Sequence, residues 1–115
     1  MSEYIQIVTT AQQRADAQRI SRILVEQRLA ACVQISGPIA STYRWQGKIE
    51  TSEEWQCTIK TRRDLYDRVE AAIRAIHPYD VPEILALPIL AGCADYLRWL
   101  ETEVTAADTP KGESC

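Results

Sequence analysis

The stretch AACVQISGPIASTYRWQGKIETSEEWQCTIKT, residues 30–61, decides the fold. Within it Cys32-Val-Gln-Ile35 reads as a buried strand, Gly37-Pro38 bends or interrupts that strand, and residues 39–45 resume in extended form. Gln46-Gly47 reads as a two-residue turn. Beyond the turn Trp55, Cys57 and Ile59 alternate with Gln56, Thr58 and Lys60, the period of two that turns one face of a strand toward a core. A long β-hairpin is therefore expected, with arms of about 14 residues, or roughly 45 Å at about 3.3 Å per residue. A compact chain of this size has a radius of gyration of about 13 Å, so the hairpin tip is expected to outrun its own subunit. Tyr43, Trp45 and Trp55 are the aromatics that such a tip leaves uncovered. Exposed aromatics on a long edge invite pairing, and assembly with further copies is the expected consequence.

Outward toward the N-terminus, residues 4–9 form a short run rich in β-branched side chains, a strand. Thr10-Ala-Gln-Gln13 fits a capping box, and residues 11–28 carry Ala17, Ile20, Ile23 and Leu24 on one face of a helix. Such a stripe must cover a sheet. Toward the C-terminus, Leu65, Val69, Ala72, Ile73 and Ile76 recur at helical spacing over residues 63–76, and His77-Pro78 ends that helix because the residue before proline avoids helical geometry. Residues 83–87 read as a short apolar strand. Residues 95–104 read as a last helix, with Leu97, Leu100 and Val104 on one side and Tyr96 and Trp99 flanking it. The order βαββαβ plus a terminal helix is the split βαβ of an α+β ferredoxin-like sandwich, expected as a single domain over residues 1–104. The segment 105–115 lacks apolar periodicity and is expected to be a disordered tail, ending in the free thiol of Cys115.

With 46% hydrophobic and 25% charged residues, the 115-residue chain has the composition of one ordinary globular domain. A net charge of −3 and a pI near 5.1 oppose binding to nucleic acid or anionic lipid, which need a concentrated basic patch. Arg14, Arg19, Arg22 and Arg28 are interleaved with Gln, Asp and Glu and read as a solvated helix face. The opening MSEYIQIVTT has neither the basic nor the apolar region of a secretory signal, and no segment approaches the roughly 18 apolar residues of a membrane span. A cytoplasmic location is expected. Four cysteines without CxxC spacing are expected to stay reduced there, with Cys32 and Cys57 as small core residues.

His77 is the single histidine, and neither a nucleophile elbow nor a helical His-Glu pair accompanies it. Four glycines, at 37, 47, 92 and 112, form no phosphate-binding loop. Enzymatic catalysis is therefore not expected. At the end of the second helix His77 suits a structural role, its ring bonding free carbonyls. As a metal ligand it would want Asp80, Glu83 or a cysteine brought close by folding, a mixed donor set for copper or zinc. Lys60 and Glu83 read either as an ion pair, buried or at an interface, or as an acid and a base.

Six blocks taken together, Ala31-Cys32-Val33, Tyr43-Arg-Trp-Gln-Gly-Lys-Ile-Glu50, Glu54-Trp55, Ile59-Lys-Thr61, His77-Pro-Tyr-Asp-Val-Pro-Glu-Ile84 and Tyr96-Leu-Arg-Trp99, resemble the CutA divalent-cation tolerance family. The resemblance spans residues 4–104. It implies a ferredoxin-like subunit in a homotrimer similar in shape to PII signalling proteins, with no obligatory cofactor and a role in tolerance of copper and other divalent metals. It also implies copper ligands at a cysteine ending strand one and at two histidines before Pro-Tyr. Only the second histidine carries over, as His77; Thr9 and Ile76 stand at the other two positions. Without that thiolate and imidazole, copper affinity at His77 is expected to be weak. A PII-like module binding a small anion or metabolite between subunits, near Lys60 and Glu83, is the alternative.

Overall fold

The computed structural model describes residues 3–105. Its elements are β1 (Tyr4–Ala11), α1 (Arg14–Glu26), β2 (Cys32–Trp45), β3 (Lys48–Arg62), α2 (Tyr66–Ile76), β4 (Ile84–Pro88) and α3 (Ala94–Glu103), with one 3-10 turn at Arg63–Leu65 leading into α2. The strands form one antiparallel sheet in the order β2-β3-β1-β4, the ferredoxin-like arrangement that the element order predicts. Of the tail expected at 105–115, residues 106–115, including Cys115, lie outside the described residues.

Register sorts every strand residue onto one of two faces. Ile5, Ile7 and Thr9 of β1 lie opposite Thr61, Ile59 and Cys57 of β3, and all six are buried. This face meets α1 through Ala17, Ile20 and Leu24 and α2 through Val69 and Ile73, while Ile23 of the expected stripe is half-buried. Burying a Leu or Ile side chain contributes about 1.5–3 kcal/mol relative to exposure, so this layer carries most of the fold's stability. The other face bears Gln6, Val8, Lys60, Thr58, Cys32, Gln34, Leu85 and Leu87. Helix α3 reaches one end of it, with the Lys60 ammonium 5.9 Å from the centre of the Tyr96 ring. The expected placement of Cys32 in the core is corrected by this parity: Cys57 is buried, but Cys32 pairs with Lys60 on the open face and is half-buried.

The capping box at Thr10 does not form. Strand β1 continues through Ala11, so Thr10 is buried in the sheet and Gln13 is the N-cap, without a side-chain cap. Pairing of Thr10 and Ala11 with Gln56 and Trp55 of β3 outweighs the modest contribution of a cap.

The hairpin is as long as its sequence requires. Gln46 and Gly47 both have positive φ, +50° and +80°, the geometry of a two-residue turn whose twist matches its strands. A bulge separates Ser36 from Ile39; there Gly37, at φ +150°, leaves a side chain only 3.0 Å from the Glu54 carbonyl. The radius of gyration is 15.4 Å and the extents are 50 × 31 × 26 Å, more elongated than a compact chain of this length. Trp45 is 49% and Ile49 69% exposed at the tip. Trp55 is corrected: it sits midway along β3, opposite Ala11 of β1, packed on the core with the Arg14 guanidinium 5.4 Å from its ring centre, which also takes Arg14 out of a purely solvated face.

Candidate functional site

His77 caps α2, its amide donating to the Ile73 carbonyl at 2.9 Å, and the following proline keeps its backbone extended. Its Nδ1 accepts the Tyr79 amide at 3.1 Å. The ring proton therefore sits on Nε2, which donates to the Thr10 carbonyl at 2.7 Å. The ring is buried, its centre 4.8 Å from that of the Tyr79 ring in a tilted contact, and both its nitrogens are engaged. Tyr79 extends the chain of contacts: its hydroxyl donates to Glu54 Oε2 at 2.8 Å. Burial, and then the Glu54 carboxylate, push the Tyr79 phenol well above the ordinary tyrosine range. Thr10, His77, Tyr79 and Glu54 thus stitch the segment after α2 to both β1 and β3.

Glu54 is only 7% exposed, and it marks the floor of a groove of about 640 Å3. Strand β1 contributes Thr10, the hairpin contributes Tyr43, Trp45, Glu50 and Ser52, and the segment 79–83 closes the far side. Period-two alternation places Glu50, Ser52 and Glu54 on one face of β3, opposite Tyr43, Ser41 and Ile39 of β2.

The expected site residues fall in three places. Asp80 and Glu83 border the groove. His77 lies behind it, facing Thr10. Lys60 shares the open face of β3 with Glu54 but lies six residues further along the strand, outside the groove lining, donating to Gln34 Oε1 at 2.9 Å, and it forms no ion pair with Glu83 within the subunit. Among the described residues no three His, Cys, Asp or Glu side chains stand close enough to hold a metal ion. At the other ligand positions implied by the resemblance, Ile76 packs on the core and Thr9 is fully buried with its hydroxyl unpartnered. This donor set does not fit a soft, thiolate-bearing copper site. Glu54 and Tyr79 were not singled out from the sequence; the signal available was the acidic period-two run Glu50, Ser52, Glu54.

The CutA1 divalent ion tolerance protein family model matches residues 5–103. The divalent-cation tolerance protein CutA of Thermus thermophilus is 42% identical over 94 residues, covering 82% of this chain and 91% of that protein. Chloroplastic CutA of Arabidopsis thaliana is 39% identical, covering 84% of this chain and 53% of that longer protein. The crystal structure of CutA from Xylella fastidiosa superposes with a TM-score of 0.88 at 42% identity, covering 90% of this chain and all of that one.

Proposed function

This chain belongs to the CutA1 divalent ion tolerance family, and on that premise we propose that it is a non-enzymatic protein of metal-ion response, working as a homotrimer in the cytoplasm. The observation that carries the reading is the surface a single subunit leaves bare. Leu85 and Leu87 are 56% and 46% exposed on the open sheet face, and the hairpin tip adds Tyr43, Trp45 and Ile49. Among the described residues the two outer strands, β2 and β4, each have an unpaired edge. Apolar area and free edges in one molecule are what further copies of the same chain can satisfy. Among the described residues Cys32, Cys57 and Cys93 are free, as a reducing compartment favours, and no helix is long and apolar enough to cross a membrane.

Metal contact in this reading is weak and centred on His77, with Asp80 or Glu83 as partner. It requires the ring to give up the Thr10 carbonyl or the Tyr79 amide, and that exchange limits affinity. Calorimetric titration of copper and zinc into the wild type and His77→Ala tests this: weaker binding to the variant supports it, and identical isotherms remove His77 from the site.

A second reading, a PII-like signalling or scaffold module, is supported by the groove, which has the size of a small-ligand site. Its expected cation, Lys60, lies apart. A thermal-shift screen in which nucleotides and organic acids move nothing counts against the anion-binding form.

A further inference from the structure

We propose that the open sheet face is covered by a second copy of this chain, whose Glu83 pairs with Lys60. The inference rests on the homotrimer reading and deepens it by naming the charges that join one copy to the next.

Strand register puts an apolar strip between these two charges. Lys60, Gln6 and Leu87 form one row across β3, β1 and β4, and Thr58, Val8 and Leu85 form the next row but one. Leu85 and Leu87 are the exposed apolar side chains of the strip. Alternation carried back from Leu87 through Leu85 reaches Glu83, which is exposed just before β4 begins at Ile84. Lys60 therefore stands at one side of the strip and Glu83 at its end.

Neither charge is matched within the subunit. Lys60 donates to Gln34 and lies near the Tyr96 ring, and its cross-strand neighbours, Gln6 and Cys32, are not carboxylates. Among the described residues Lys60 and Glu83 enter no ion pair. Nor do they stand close to each other. From Leu87, in the row of Lys60, back to Glu83 is about 13 Å along the sheet, and the width of two strand spacings adds about 9.5 Å across it. Exposed charges interact over roughly 8 Å at physiological ionic strength.

Covering the strip changes the balance. A copy laid on Leu85 and Leu87 takes both charges out of water, and a buried charge without a counter-charge is strongly unfavourable. Each is the complement of the other on a different copy. Lys60 and Glu83 belong to different patches of one chain, so each copy offers Lys60 to one neighbour and Glu83 to the other, the head-to-tail contact that closes a ring of three. Other carboxylates fit less well. Glu54 already accepts the Tyr79 hydroxyl, and Glu50 and Asp80 lie beyond the strip, on the hairpin and in the turn after Tyr79.

Sedimentation equilibrium of the intact chain over a dilution series tests the pair in wild type, Lys60→Glu, Glu83→Lys and the combined reversal. Each single reversal sets like charges together between copies and is expected to raise the dissociation constant about tenfold or more, and the combined reversal to return it to within about threefold of wild type. Circular dichroism verifies each fold. Glu83 is exposed, so Glu83→Lys reads the interface even if Lys60→Glu unfolds. Arg19→Glu, exposed on α1, is expected to leave assembly unchanged. The pair is overturned by single reversals that assemble as wild type does, by an equal loss in Arg19→Glu, or by a combined reversal as weak as the singles; in each case a trimeric wild type keeps the homotrimer reading. A wild type of 13.0 kDa throughout removes both.

Discussion

The Tyr79 hydroxyl donates a 2.8 Å hydrogen bond to the Glu54 carboxylate, joining the segment after α2 to the hairpin arm β3. Glu54 is nearly buried, so this bond satisfies a charge that water scarcely reaches. The His77 ring, tilted against Tyr79 and bonded to Thr10, holds the same segment from its other side.

Tyr79→Phe is expected to lower stability by about 1–3 kcal/mol, because it leaves a buried carboxylate short of a donor. Urea unfolding measures this directly. The same pair sets an alkaline limit. The folded phenol sits above its unfolded value near 10, so its contribution is fully present below about pH 10 and falls as pH rises, when only the unfolded chain releases the proton. The unfolding free energy followed from pH 8 to 11 should therefore fall less steeply in Tyr79→Phe than in wild type, and parallel slopes would contradict the assignment.

Thr9→Val is expected to stabilise the chain by about 1 kcal/mol. The Thr9 hydroxyl is fully buried without a partner, and valine keeps its shape while removing the desolvated group. A lower melting temperature for the variant would mean the hydroxyl has a partner in solution.

Cysteine reactivity should divide cleanly. The amides of Tyr96 and Asp95, at the start of α3, hold the exposed Cys93 thiol below its ordinary value, whereas burial pushes the Cys57 thiol up. Brief iodoacetamide treatment near pH 7, mapped by mass spectrometry, is expected to modify Cys93 and spare Cys57. Equal labelling would show that the core opens on that timescale.

Much of the fold was legible in the sequence because its signals are local. Alternation from Trp55 to Ile59, Gln46-Gly47 and the Leu65, Val69, Ile73 spacing each report on a few consecutive residues, and each element formed close to its expected bounds. What escaped depended on pairing between distant strands. Whether Thr10 caps a helix or extends a strand is decided by its pairing with Gln56 of β3, and whether Cys32 is core or surface by its register with Lys60. Trp55 looked like a tip residue because linear distance from the turn does not reveal how far the sheet underlies the hairpin. The site was less legible for the same reason: Glu54 and Tyr79 are 25 residues apart, and nothing local couples them. The family, by contrast, was readable from short blocks because their order and spacing act together.

The hairpin tip separates folding from assembly. Trp45→Ala and Ile49→Ser alter side chains already exposed in the subunit, so subunit stability should move by no more than about 0.5 kcal/mol. An interface that buries them should weaken by about 2 kcal/mol or more, roughly 30-fold in dissociation constant, as dilution-dependent sedimentation would read.

Sedimentation equilibrium of the intact chain at micromolar concentration tests the central claim most directly. The account expects a single species of three times the 13.0 kDa chain mass. A species of 13.0 kDa across that range would contradict it and would leave the exposed open face and hairpin without the partner proposed for them.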